Sequence, residues 1–149
     1  MKQCKYQREI IESFHDEDVQ WAKPGWTHLD LWVDNLLFHE DELSGIVDFD
    51  RVRYSFPAID IGRAILSCTL SEGRIHQDTA AAFADGYRSI VHIPRGRIAD
   101  AVRYCWWVES FWWLRPTLED FSPNPARFAE EMIWVSHQWG EIDRMLGFI

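Results

Sequence analysis

Three oxygen-bearing side chains, Asp30, Asn35 and Asp48, stand where types and spacing allow chemistry. Asp30 and Asn35 lie in His28-Leu29-Asp30-Leu31-Trp32-Val33-Asp34-Asn35, and Asp48 in Gly45-Ile46-Val47-Asp48-Phe49-Asp50. The apolar runs flank His39-Glu40-Asp41-Glu42, the pattern of a β-hairpin. A turn centred between Asp41 and Glu42 sets Phe38 opposite Gly45, Leu36 opposite Val47 and Asn35 opposite Asp48. An amide and a carboxylate then meet at the open end of the hairpin, with Asp30 on the loop leading in. An acidic loop residue beside two oxygen donors that can share a hard cation suits phosphoryl transfer.

The elements that must position these groups carry a family resemblance. His28-x-Asp30-x-x-x-x-Asn35, followed by a hairpin ending in Asp48-Phe49-Asp50, resembles the catalytic and metal-binding loops of the protein-kinase-like fold. Tyr54-Ser55-Phe56-Pro57-Ala58-Ile59-Asp60-Ile61-Gly62-Arg63 narrows it to the aminoglycoside phosphotransferase superfamily, which includes choline kinases and type II homoserine kinases. The resemblance is strong over about residues 20–70. It implies an α+β, mainly α fold: a carboxyl-terminal kinase-like lobe with a small hairpin (about 36–49) and a helical bundle after it. It also implies ATP and Mg2+ as cofactors. Asp30 would accept the proton of, or orient, a substrate hydroxyl, and Asn35 and Asp48 would bind the metal and through it the nucleotide. Asp50, two residues on in an extended chain, would face the same side as a secondary ligand. His28 would prop the loop by packing and hydrogen bonding, and Asp60 would brace it from below or cap a helix start. Many members have Gly where Leu29 stands, and Trp32-Val33 also departs from the pattern. Trp32 is left between walling an acceptor pocket and covering the hairpin.

Bulk properties bound the reading. At 149 residues the chain has room for a single domain (1–149), and 47% hydrophobic with 26% charged residues fits a soluble globular protein. A net charge of −9 argues against nucleic acid and is compatible with a cationic substrate. Cys4, Cys68 and Cys105 show no Cys-x-x-Cys spacing, which fits a reducing cytoplasm. Lysines, an arginine and a glutamate interrupt any signal-like start, and no stretch has the length of a membrane span.

Helical periodicity predicts a helix through Tyr6, Ile10, Ile11 and Phe14, then a breaker at His15-Asp16-Glu17-Asp18. Trp26-Thr27-His28 reads as a short extended piece and residues 51–57 as an irregular connection. A helix follows Asp60, with Arg63 placed to pair with it, and ends at Ser71-Glu72-Gly73. Asp78 is read as the cap of the next helix. A long helix runs from about Arg97 to Leu114, stopped by Pro116. In it Glu109 stands among aromatics; a cation cage and plain core packing, with Glu109 facing solvent or an arginine, are both open. Residues 120–125 read as a loop, and a last helix from about Ala126 to Leu146 carries Phe128, Met132, Val135, Trp139, Ile142 and Met145 as its buried stripe.

The residues before His28 hold no Gly-rich loop and no lysine in an apolar, strand-like context. The amino-terminal nucleotide lobe of such an enzyme is therefore expected to be absent, leaving either that missing lobe or self-association to cover the junction. A small-molecule phosphotransferase half is the leading expectation; a non-catalytic scaffold is the alternative.

Overall fold

The computed structural model describes residues 2–113 and 125–149. Its centre is helix α2 (Ala58–Thr69), whose Ile61, Ala64, Ile65 and Leu66 are buried. Glycine at position 62 lets helix α4 (Arg97–Trp113) lie against it: a Cβ there would sit 2.2 Å from the Ala101 carbonyl oxygen. Removing this apolar surface from water is the main drive for the two helices to pair. Around them pack α1 (Lys2–Ser13), α3 (Gln77–Arg88), α5 (Pro125–Gln138) and α6 (Ile142–Leu146). Phe14, Tyr104, Trp106, Met132, Val135 and Ile142 join one core.

Three small antiparallel pairs decorate this bundle. Strand β1 (Gly25–Thr27) pairs with β4 (Arg53–Ser55), so the supposedly irregular connection holds a short strand. Strands β2 (Leu36–His39) and β3 (Glu42–Ile46) form the expected hairpin, and β5 (Leu70–Ser71) pairs with β6 (Arg74–Ile75). That last hairpin turns on Glu72 and Gly73, both at positive φ, the backbone of a tight primed turn. The fold is thus mainly helical with small sheets, as the pattern predicts.

Further details differ. The main hairpin turns on Glu40 and Asp41, and its register pairs Leu36 with Ile46 and Phe38 with Leu43, with a bulge between. The final helix divides at Trp139-Gly140-Glu141 into α5 and α6, although its buried stripe is as expected. His76, not Asp78, occupies the N-cap of α3; Asp78 lies inside its first turn. Pro57 holds the N-cap of α2, so Asp60 is not a cap. Leu114, Pro116 and the loop at 120–124 lie outside the described residues.

The β1–β4 pair and the β2–β3 hairpin leave apolar surface open. Trp26 packs edge-on to Tyr54 at 6.0 Å, yet both are exposed. Phe38, Leu43 and Phe49 are each more than half exposed.

Candidate active site

One face of α2 grips the loop that carries Asp30. Asp60 accepts the backbone N–H of His28 through Oδ2 at 2.7 Å and that of Leu29 through Oδ1 at 2.8 Å. Two turns on, Ser67 Oγ accepts the N–H of Val33 at 2.9 Å. These bonds hold Leu29 at φ 63, in the left-handed region that disfavours a side chain. Glycine enters that region freely, whereas the Cβ of a leucine makes it costly. Burial pushes the Asp60 carboxyl above its ordinary value, with the two N–H groups pulling the other way. Burial also raises the Tyr87 hydroxyl, and the Asp60 charge adds to it.

Asp30 is half-buried in this loop. Its backbone carbonyl accepts Trp32 N–H at 2.8 Å and Asn35 Nδ2 at 2.8 Å. Its carboxylate lies 3.9 Å from the exposed Arg51 guanidinium, just past Asp48. Asn35 closes a 3-10 turn, Val33–Asn35. Its amide nitrogen is committed to Asp30, leaving Oδ1 as the donor a hard cation could take. Asp34 faces solvent.

Val47 is the tie between the two stretches. Its N–H donates to the Asn35 carbonyl at 3.0 Å, and its carbonyl lies 3.0 Å from His28 Nε2. A carbonyl only accepts, so Nε2 carries the proton, and the buried Nδ1 is left without a partner among the described residues. The ring also packs on Phe49 at 4.8 Å. His28 is thus a prop.

Asn35 faces Val47 rather than Asp48, one residue off the expected register. Asp48 lies just beyond the strand, exposed, at φ 63, with no side-chain cap bond. Asp50 falls in the 3-10 turn Phe49–Arg51, so it does not share a side with Asp48 by strand alternation. An amide oxygen and one exposed carboxylate fit magnesium, which keeps phosphate oxygens and water for most of its shell. Among the described residues no cluster of three or more His, Cys, Asp or Glu forms a denser metal cage.

Sequence reasoning missed the charge cluster beneath the loop. Arg63 does not pair with Asp60. It is buried, donates to Glu109 at 2.7 Å and to Glu131, and lies 3.9 Å over the Trp32 ring. Burial opposes its charge, but Glu109, Cys105 and Glu131 outweigh that and raise its pKa. Burial pushes Glu109 and Glu131 up, with Arg63 opposing. Arg127 Nε approaches Glu131 at 3.3 Å without a well-formed hydrogen bond. Glu109 therefore faces an arginine, not a ligand cage. Trp106 and Tyr104 are core, and the side chains of Trp112 and Trp113 lie outside the described residues. Trp32, half-buried, stacks on Arg63 and packs against Phe128 at 5.9 Å. The one sequence signal was a charged residue, Arg63, on an otherwise apolar helix face.

A cavity of about 380 Å³ lies elsewhere, lined by Phe14, Asp18, Trp21, Arg97 and Arg103 among others, and by none of Asp30, Asn35 or Asp48.

A loop acid and amide, tied through one residue to an exposed aspartate and braced by one helix, is a layout suited to phosphoryl transfer. Residues 3–93 match the Phosphotransferase enzyme family, and the chain belongs to that family. It is similar to a homoserine kinase of Methylobacterium radiotolerans, 33% identical over 86 residues, covering 55% of this chain and 27% of that one. A homoserine kinase of Methylorubrum populi is 29% identical over 92 residues, covering 61% and 28%. One of Allorhizobium ampelinum is 31% identical over 84 residues, covering 54% and 26%. The chain thus matches only about a quarter of the length of these curated relatives.

Proposed function

We propose that this chain is a single-domain, carboxyl-terminal kinase-like lobe of an ATP-dependent phosphotransferase acting on a hydroxyl of a small molecule. An amino acid is the acceptor class the homoserine kinase relatives favour. Asp30 takes or orients the hydroxyl proton of the acceptor. Asn35 Oδ1 and Asp48 hold Mg2+ and, through it, the nucleotide phosphates. The bound metal supplies charge neutralisation on the transferring phosphoryl group. His28 and Asp60 fix the loop so that its groups need no reorganisation during the reaction. A nucleotide lobe, as in longer kinases, docks on the apolar surface around Phe38, Leu43 and Phe49.

The observation that carries this is Val47, held from one side by Asn35 and from the other by His28, so that the Asp30 loop and the Asp48 segment form one unit. The exposed apolar surface supports a second reading, a non-catalytic scaffold.

The test is a chimaera, this chain fused behind the preceding part of a homoserine kinase relative and assayed for ATP-dependent phosphorylation of homoserine and other small hydroxyl compounds. Activity should fall by about two orders of magnitude or more in Asp30→Asn. A folded chimaera with no activity above its Asp30→Asn form would leave the scaffold reading in place.

A further inference from the structure

We propose that Arg63 is a positioning residue for the loop bearing Asp30 and Asn35, and that it acts through the ring of Trp32. What the loop is for rests on the phosphotransfer reading; the hold of Arg63 on it does not.

Trp32 is the hinge of the loop's internal bonding. Its N–H donates to the Asp30 carbonyl at 2.8 Å and its carbonyl accepts the Asn35 N–H at 3.0 Å. The Asn35 side chain returns to the same Asp30 carbonyl at 2.8 Å. Moving Trp32 therefore moves both Asp30 and Asn35. Asp60 holds the loop upstream of Trp32 and Ser67 holds Val33 downstream, both by backbone bonds. Only the ring remains to be fixed between them, and Arg63, one turn along from Asp60, places its guanidinium carbon over that ring at 3.9 Å from the centroid. A guanidinium would normally swing. Here it is held by Glu109 of α4 and Glu131 of α5, so three helices converge on the underside of one loop.

Stability alone does not call for this arrangement. A buried ion cluster replaced by well-packed apolar side chains often leaves a fold as stable or more so. A planar cation fixed at a set height under an indole does something an aliphatic side chain cannot: it defines both the distance and the tilt of the ring.

The experiment separates the two roles. The whole chain is compared with Arg63→Lys, with Trp32→Leu, and with the apolar triple variant Arg63→Met/Glu109→Leu/Glu131→Leu. Amide hydrogen exchange is read at Val33 and Asn35 and at core amides of α2 and α4, alongside the melting temperature. Loss of the stacked cation should speed exchange at Val33 and Asn35 about tenfold, while the triple variant melts no lower than the parent and its core amides are unchanged. Arg63→Lys, charged but without a flat face, should loosen the loop in the same way. Adding Trp32→Leu to the triple variant should bring little more. Unchanged exchange at Val33 and Asn35 in a folded variant, or a rise only in step with the core, would overturn the inference. Mn2+ binding followed by electron paramagnetic resonance provides the separate arm. If the parent shows no binding sensitive to Asp48→Asn, the metal assignment fails, and the exchange data still decide the role of Arg63.

Discussion

Replacing Asp60 by alanine removes the acceptor for two backbone N–H groups at once. The bonds measure 2.7 and 2.8 Å and come from consecutive residues, His28 and Leu29. Hydrogen bonds to a charged acceptor contribute about 1.5–3 kcal/mol each, so the pair bounds the loss at about 3–6 kcal/mol. Two effects reduce it. Leu29 sits at φ 63, and a loop freed to leave the left-handed region recovers about 1–2 kcal/mol. The ionised carboxylate is also partly desolvated, as its raised pKa shows, and alanine ends that cost. The net expectation is about 2–3 kcal/mol, a sizeable part of the 5–15 kcal/mol typical of a domain. Urea unfolding followed by far-UV circular dichroism gives the total, and amide exchange at His28 and Leu29 locates it. The sign of the pH dependence follows from the direction of the shift. A carboxyl raised in the fold stabilises it most below the unfolded value of 3.8, and that stability is lost as pH rises through the folded value. Asp60→Asn should lack this slope. In a Leu29→Gly background the strain term is gone, so Asp60→Ala should cost more than in the parent. A cost below about 0.5 kcal/mol, within the range of ordinary surface substitutions, with exchange at His28 and Leu29 unchanged, would refute the brace.

Two further outcomes follow from packing. Gly62→Ala would place a Cβ 2.2 Å from the Ala101 carbonyl and 2.7 Å from Cys105 Cβ, so α2 and α4 must part; unfolding should show a loss of about 3 kcal/mol, at the upper end of overpacking costs. The open apolar surface around Phe38 and Leu43 should make the isolated chain self-associate, seen as a sedimentation coefficient that rises with concentration. Phe38→Glu/Leu43→Lys should abolish that rise, and a parent that stays monomeric at high concentration would count against it.

The hairpin was legible because apolar residues flank a polar turn, a local pattern. Its register was not, because it depends on a bulge between Leu37 and Phe38 and on Glu40 taking φ 55, and neither leaves a mark in residue type. The shift of one residue put Asn35 against Val47 instead of Asp48, so the tie between the two stretches runs through Val47. Ser71-Glu72-Gly73 marks the end of α2 in the sequence but not the hairpin it forms, since Glu-Gly is a weaker turn signal than Asn-Gly. Gly140 did mark the break after α5, but the apolar stripe continues across it and hid the stop.

The partners of Arg63 lie 46 and 68 residues further along, and no local pattern reaches that far. Periodicity could show only that an arginine sits on a face otherwise made of Ile61, Ala64 and Ile65. An unpaired charge on a buried helix face is costly enough that an opposite charge must meet it somewhere. The later helices offer few acids at inward positions, and Glu109 and Glu131 are two of them. The same constraint reaches the site. With two carboxylates fixing one guanidinium and the guanidinium fixing Trp32, the helices that supply Glu109 and Glu131 bear on the placement of Asp30 and Asn35 without touching either stretch's backbone bonds.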